Sequence, residues 1–322
     1  MLAAVPGHLG SGDSVRPRDT ETVIESVVPA LPDGVRLDVV GSDTFMRLRT
    51  VDHEVEVPGY EGEPYVRISA DGTVWLNEAS ATSVLNGDRY GNVDLSSFAP
   101  SDQPRWTRVA DDGSVMWHDH RSHWMSPKTP AVVDEDGSVQ DFSIPLRIDG
   151  TVHTVSGTLY LRERASIWWW STGAIATVAF VGLALARRRA ALGATVAVGV
   201  FASVAGAVQW TGLPDGARVT PLLAVFGALA AVIGTVAVVA SRRASLRGRL
   251  VGASMHAGAG AMLVAVAAMT ADHVRSAYVP GFGWEWVARM LVPVVLAAGV
   301  VATIDGAWRV VRGDVAREPV RN

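Results

Sequence analysis

Residues 117–125 read Trp-His-Asp-His-Arg-Ser-His-Trp-Met, three histidines within six residues with Met125 two places further on. Imidazole lone pairs and a thioether make a donor set for a soft or borderline metal ion. Three imidazoles with a methionine suit copper, and the thioether favours the Cu(I) state. Zinc on His118, His120 and His123 is the alternative ion. On an extended chain, side chains at i and i+2 share a face about 6.5–7 Å apart, so the spacing predicts His118 and His120 as the core pair. His123 and Met125 break that parity and join the pair only if the chain turns near Arg121-Ser122. A second reading stands beside the metal one. Asp119 and Arg121 can pair across the stretch, Trp117 and Trp124 can be core, and histidines can donate to backbone carbonyls with no ion present.

The rest of the chain narrows the chemistry. It has no cysteine, which removes disulfides, thiolate metal sites and cysteine catalysis and leaves methionine as the soft donor. The formal net charge of −4 averages an acidic first half and a basic second half. No basic groove or aromatic-basic motif suggests nucleic acid. No G-x-S-x-G, H-E-x-x-H or P-loop pattern occurs, so an enzymatic role has weak support. Glu61 and Glu63, in Gly59-Tyr-Glu-Gly-Glu-Pro-Tyr65, offer further ligands or a partner for Arg121. A tight turn built on Gly59 and Gly62 accounts for that stretch more simply.

The elements that must position these groups are strands. Val35 to Val39, Phe45 to Leu48, Val55 to Val57, Tyr65 to Ile68, Val74 to Leu76, Ile144 to Ile148 and Val152 to Leu161 alternate apolar and polar residues. Asp71-Gly72 and Asp149-Gly150 each lie between two such runs, a strong hairpin signal, and other Asp-Gly pairs mark further turns. About seven short strands at this spacing predict an all-β, immunoglobulin-like sandwich over 20–165. Between Asn77 and Pro104 the chain is polar and irregular, a loop long enough to suggest function, with Tyr90 and Phe98 arguing for order.

After Ser166 the composition changes to long apolar stretches. Five spans are predicted at about 167–186, 190–210, 219–240, 250–271 and 287–307, each near the ~20 residues that cross a hydrocarbon core. Eleven arginines (187, 188, 189, 242, 243, 247, 249, 309, 312, 317, 321) then fall on one side. By the positive-inside rule the sandwich is extracytoplasmic and the tail over 309–322 cytoplasmic, in a multi-pass protein of the cell membrane. Trp168, Trp169, Trp170, Trp210, Trp284 and Trp286 cluster at the opposite interface, as an aromatic belt does. Residues 1–19 read as the remnant of a signal peptide, cleaved near Ala4 to His8, or as a disordered N-terminus.

Within the fourth span Met255, Met262 and Met269 recur every seven residues, and His273 follows four later, so at about 100° per residue the four share one face. Met255 to His273 covers roughly 27 Å, near the bilayer thickness. A thioether ladder for Cu(I) is one reading and ordinary packing the other, since successive methionines stand about 10 Å apart. His256 is a separate ionisable residue at membrane depth, which points to the bundle interior.

Gly59-Tyr-Glu-Gly-Glu-Pro-Tyr-Val-Arg-Ile68, the Asn86 to Tyr90 segment and the 117–125 stretch, ahead of a sandwich strand and a tryptophan-led membrane region, resemble an uncharacterised family of high-G+C, actinobacterial-type membrane proteins. The resemblance spans most of the chain and implies an export signal upstream of the sandwich. It brings no activity with it. Taken together, the sequence reads as a bilayer protein whose external β-domain binds copper in copper handling or sensing. The alternative is a non-metal module that docks other envelope proteins on a five-helix anchor.

Overall fold

The computed structural model describes residues 8–9, 15–96, 98, 103–218, 220–243 and 245–315. Most of the expected signal remnant and the end of the expected tail lie outside these residues. The chain divides into two compact units, one holding residues up to Glu163 together with 214–218, the other the remainder.

The first unit is a β-sandwich. Its larger sheet has seven strands in the order β2 (Thr20–Val28), β11 (Thr151–Leu161), β10 (Ser138–Ile148), β5 (Val55–Pro58), β6 (Pro64–Ile68), β7 (Val74–Asn77) and β8 (Trp106–Ala110). Every neighbouring pair in it is antiparallel. The smaller sheet runs β1 (His8–Leu9), β9 (Ser114–Trp117), β4 (Phe45–Arg49) and β3 (Arg36–Val40). Period-two alternation decides what each sheet buries. Met46 and Leu48 on β4, Val115 and Trp117 on β9, Val55 and Val57 on β5, and Ile144, Leu146 and Ile148 on β10 meet in one core. Each such aliphatic side chain contributes about 1.5–3 kcal/mol by leaving water. The β10–β11 hairpin turns on Asp149 and Gly150 at φ +47° and +80°, with Ile148 opposite Thr151. Those two positive dihedrals match the right-handed twist of the paired strands, which is why Asp-Gly occurs there.

The polar stretch after β7 opens with a short helix, α1 (Ala81–Leu85). Glu63 sets its start: the carboxylate accepts from the Ser80 and Thr82 hydroxyls at 2.5 and 2.8 Å and from the Thr82 amide at 3.3 Å. Gly62 sits at φ +82° in the turn just before. The 59–65 stretch is thus a tight turn that holds a helix start, and Glu63 is committed there rather than to Arg121.

The second unit consists of α2 (Trp170–Ala186), α3 (Arg188–Thr211), α4 (Leu222–Ser241), α5 (Leu246–Met269) and α6 (Glu285–Val315). With the 3-10 turn before α2, five helical segments are long and apolar enough to cross a membrane, and they match the five expected spans to within a few residues. Close backbone approach sets their packing. A Cβ on Gly206 of α3 would stand 2.2 Å from the Ala224 nitrogen, and one on Gly260 of α5 would stand 2.5 Å from the Thr303 nitrogen. Small residues at such crossings let helices gain dispersion contacts where lipid supplies no hydrophobic drive.

Candidate functional site

The 117–125 stretch leaves the sheet at Trp117, where β9 ends. The buried indole N–H of Trp117 donates to Asp119 Oδ2 at 2.9 Å. Arg121 closes on the same carboxylate with Nε to Oδ1 and Nη2 to Oδ2, both at 2.8 Å. The Ser122 amide donates to the Asp119 carbonyl at 2.9 Å, which reverses the chain. So the turn near Arg121-Ser122 that convergence requires is present. Its cause is the Asp119 carboxylate, which fixes both ends of the bend.

That reversal, and not strand pleating, decides which imidazoles meet. The rings of His118 and His123 lie 5.7 Å apart and those of His120 and His123 5.2 Å apart, both edge-on. His123 is therefore the middle member, and the expectation that His118 and His120 form the core pair on a strand face gives way because the strand stops before either. Each ring also reaches a backbone carbonyl. His118 Nδ1 lies 2.7 Å from the Thr44 oxygen, His120 Nε2 3.0 Å from that of Asp88 and His123 Nε2 2.7 Å from that of Arg89. A carbonyl only accepts, so these nitrogens carry the protons and the opposite nitrogen of each neutral ring keeps its lone pair. Metal-bound histidines are oriented by the same kind of bond.

The three carbonyl partners come from two segments that the sandwich brings beside β9. Thr44 precedes β4, while Asp88 and Arg89 follow α1. Arg89 is 1% exposed, and its Nη2 donates to Asp43 Oδ2 at 2.7 Å. Asp43 also accepts from the Thr20 hydroxyl at 2.7 Å and pairs with Arg18 at 3.3 Å. Tyr60 ties in the third segment: its hydroxyl donates to Asn86 Oδ1 and accepts from the His120 amide at 2.9 Å. The segments 59–65, 86–90 and 117–125, far apart in the chain, thus form one buried polar cluster.

Exposure rises along the cluster. His118 and His123 are both 1% exposed, His120 is part-buried, and Met125 is 36% exposed. Gly91, at φ +66°, marks where the outer members meet. A Cβ there would stand 3.2 Å from Met125 Cε and 3.3 Å from His120 Cε1, so the thioether and the imidazole flank one point. His123 Nδ1 is buried and has no hydrogen-bond partner. Burial first, and the nearby Arg89 guanidinium second, push the His123 imidazole down to about 3. Burial also lowers His120. Both rings are neutral at ordinary pH, with lone pairs available. Burial on its own would raise the Asp119 carboxyl, but its bonds to Arg121 and Trp117 hold it below the usual carboxylate range, so it stays ionised.

Among the described residues no group of three or more His, Asp or Glu side chains stands where it could hold a metal ion. The donors that do adjoin are His120, His123 and the Met125 thioether, with His118 set behind them against Phe45 at 4.4 Å between ring centres.

In the second unit the expected intramembrane candidates separate. Met269 is 58% exposed, Met255 is half-buried, and Met262 packs against the apolar core of the bundle. His256 Nε2 meets the Thr195 hydroxyl at 3.1 Å, and its Nδ1 lies 3.4 Å from Asp305 Oδ2. His273 sits in the turn after α5, 3.0 Å from Gln209 Nε2, with Nδ1 at 2.9 Å from the Thr270 oxygen. The helix ends at Met269, so His273 leaves the face that regular 100° steps would give it.

Asp43, Arg89, Tyr60 and Gly91 complete the site and were not among the candidates read from spacing. The 59–68 and 86–90 stretches had stood out as motifs, but Asp43 carries no local signal at all. Searches against protein-family models, curated proteins and solved structures find no match to this chain.

Proposed function

We propose that the β-sandwich takes up one Cu(I) ion on His120, His123 and Met125, and that the chain is a membrane protein of copper handling or sensing whose sandwich faces away from the cytoplasm. The observation that carries the reading is His123 Nδ1, a buried nitrogen with no hydrogen-bond partner, on a ring 5.2 Å from that of His120. Imidazoles sharing one ion at metal–nitrogen distances of about 2.0–2.1 Å place their ring centres roughly 5–6 Å apart. The proximity of Met125 to His120 adds a soft donor at the exposed rim, which selects Cu(I) over harder ions. Charge supports the same choice. The Arg89 guanidinium beside His123 repels a divalent ion about twice as strongly as a monovalent one. Eleven arginines on one side of the five spans support the orientation.

A rival reading, a non-metal module that docks another envelope protein, draws on the carbonyl bonds of all three rings, which hold the stretch without any ion. Competition for Cu(I) against a colorimetric chelator, on the full chain in detergent, separates the two. Met125→Leu and His123→Gln are expected to weaken binding tenfold or more, and His118→Gln much less. Wild-type binding no tighter than millimolar, or Met125→Leu binding as tightly as wild type, would leave the docking module as the reading.

A further inference from the structure

The two buried histidines of the second unit face opposite kinds of partner. His273 Nδ1 lies 2.9 Å from the Thr270 carbonyl oxygen, which only accepts, so that nitrogen carries a proton. Its Nε2 lies 3.0 Å from Gln209 Nε2, which only donates, and the same amide nitrogen also donates to the Pro280 oxygen at 3.1 Å. A second proton on His273 would set one N–H against another. These partners hold the ring in its neutral form.

His256 on α5 is wired differently. Its Nδ1 lies 3.4 Å from Asp305 Oδ2 on α6, and its Nε2 lies 3.1 Å from the Thr195 hydroxyl on α3. A hydroxyl both donates and accepts. The Thr195 oxygen is also 3.1 Å from the Ala191 carbonyl oxygen, so the hydroxyl proton has two acceptors at equal distance. With neutral His256 the hydroxyl donates to Nε2. With a second proton on the ring, Nε2–H donates to the hydroxyl, which turns and donates to Ala191. Neither charge state leaves the ring or the hydroxyl without a partner, although His256 is 3% exposed and Thr195 2%.

Arg309 holds the other side of the Asp305 carboxylate, with Nε 2.9 Å from each oxygen, and its 34% exposed side chain brings the cluster to water. Among the described residues the charged groups that face His256 are Asp305 and Arg309 on α6 and Arg188 on α3. Helix α4, also packed on α5, has no ionisable side chain. Ionisable side chains buried in membrane-crossing bundles are costly and commonly mark proton or ion sites. Imidazole is the one whose charge changes near neutral pH. We propose that His256 is a proton-binding site of the helical unit, with Asp305 as its counter-ion and the Thr195 hydroxyl as the group that turns with its charge. Uptake forms one N–H bond at Nε2 and release breaks it. The proton comes from water and returns to it, and no other covalent bond changes.

The test is nitrogen NMR of the full chain in detergent, labelled in the histidine rings and followed between about pH 4 and 8. His256→Gln and His273→Gln identify the two sets of ring signals by their loss. One ring nitrogen of His256 is expected to pass from the bare to the protonated form as pH falls, with His273 neutral throughout. Thr195→Val removes the acceptor for the second N–H and is expected to lower the His256 midpoint by about one pH unit, a tenfold loss of proton affinity. Thr195→Ser keeps the hydroxyl and is expected to keep the midpoint. A His256 ring that holds one form across the range, or a His273 ring that titrates with it, overturns the proposal, as does an unchanged midpoint in Thr195→Val. Should Thr195→Val not fold, Asp305→Asn takes its place: loss of the counter-ion is expected to lower the midpoint, and an unchanged midpoint overturns the proposal equally.

Discussion

His123 shows how a buried imidazole can be structural and chemically available at once. Its Nε2–H is used on the Arg89 carbonyl, and its Nδ1 lone pair faces no donor. Because burial and Arg89 hold its pKa near 3 against about 6.5 in the unfolded chain, the unfolded state takes up the proton first as pH falls. The metal-free sandwich is therefore expected to keep its full stability above about pH 6.5 and to lose it progressively towards pH 3, with a slope of up to about 1.4 kcal/mol per pH unit from this residue. His120, lowered in the same direction by burial, adds to that slope. Hydrogen exchange of β4 and β9 peptides, corrected for intrinsic rates, reads it in the full chain. His123→Gln retains a donor near the Nε2 position and does not titrate, so its protection should fall less steeply. Parallel profiles for wild type and His123→Gln would show that the residue carries no such linkage. Little of this was legible in the sequence. The cluster of histidines was, but the middle role of His123 depends on the bend set by Asp119 and on Arg89, whose partner Asp43 lies 46 residues away in the chain.

At the scale of elements, periodicity told most of the story where one face of a strand is fully buried. The runs over 45–48, 55–57, 65–68 and 144–148 are the inner strands of the core, and the Asp-Gly turns between strands stand where the sequence puts them. The strands missed by alternation are β1, β2, β8 and β9; β2 and β9 include Thr22 and Ser114, polar residues at positions that the pattern alone does not mark as strand. Helix α1 was hidden because its start is held by Glu63, eighteen residues before Ala81, rather than by a neighbouring cap. In the membrane unit the helices were plain, and their close crossings were not. The crossing of α5 and α6 rests on Gly260, where a Cβ would stand 2.6 Å from the Gly299 oxygen. Gly260→Leu is expected to force the two backbones apart and cost about 1–3 kcal/mol or more. Gly258→Leu, whose nearest neighbour is Ile233 Cγ2 at 3.7 Å, should be close to neutral. Thermal midpoints of the two variants compare these directly, and equal losses would contradict the close-packing account.

At the scale of the whole molecule, the chain joins a β-sandwich to five helices long and apolar enough to cross a membrane. Orientation follows from arginine placement: the sandwich and the α5–α6 connection are expected on one side, and the end of α6 on the other. Alkaline phosphatase fused after Gly283 should be active and after Val315 inactive, and the reverse pattern would invert the orientation. Both halves were legible because each obeys its own solvent. Which donors converge was not, since that depends on three loops meeting across the sandwich. The central claim is the donor set, and X-ray absorption at the copper edge of the full chain loaded with one equivalent of Cu(I) tests it most directly. The account predicts two nitrogens near about 2.0 Å and one sulfur near about 2.3 Å, with the sulfur lost in Met125→Leu and one nitrogen lost in His123→Gln. A first shell without sulfur in the wild type, or one unchanged by both substitutions, would contradict it.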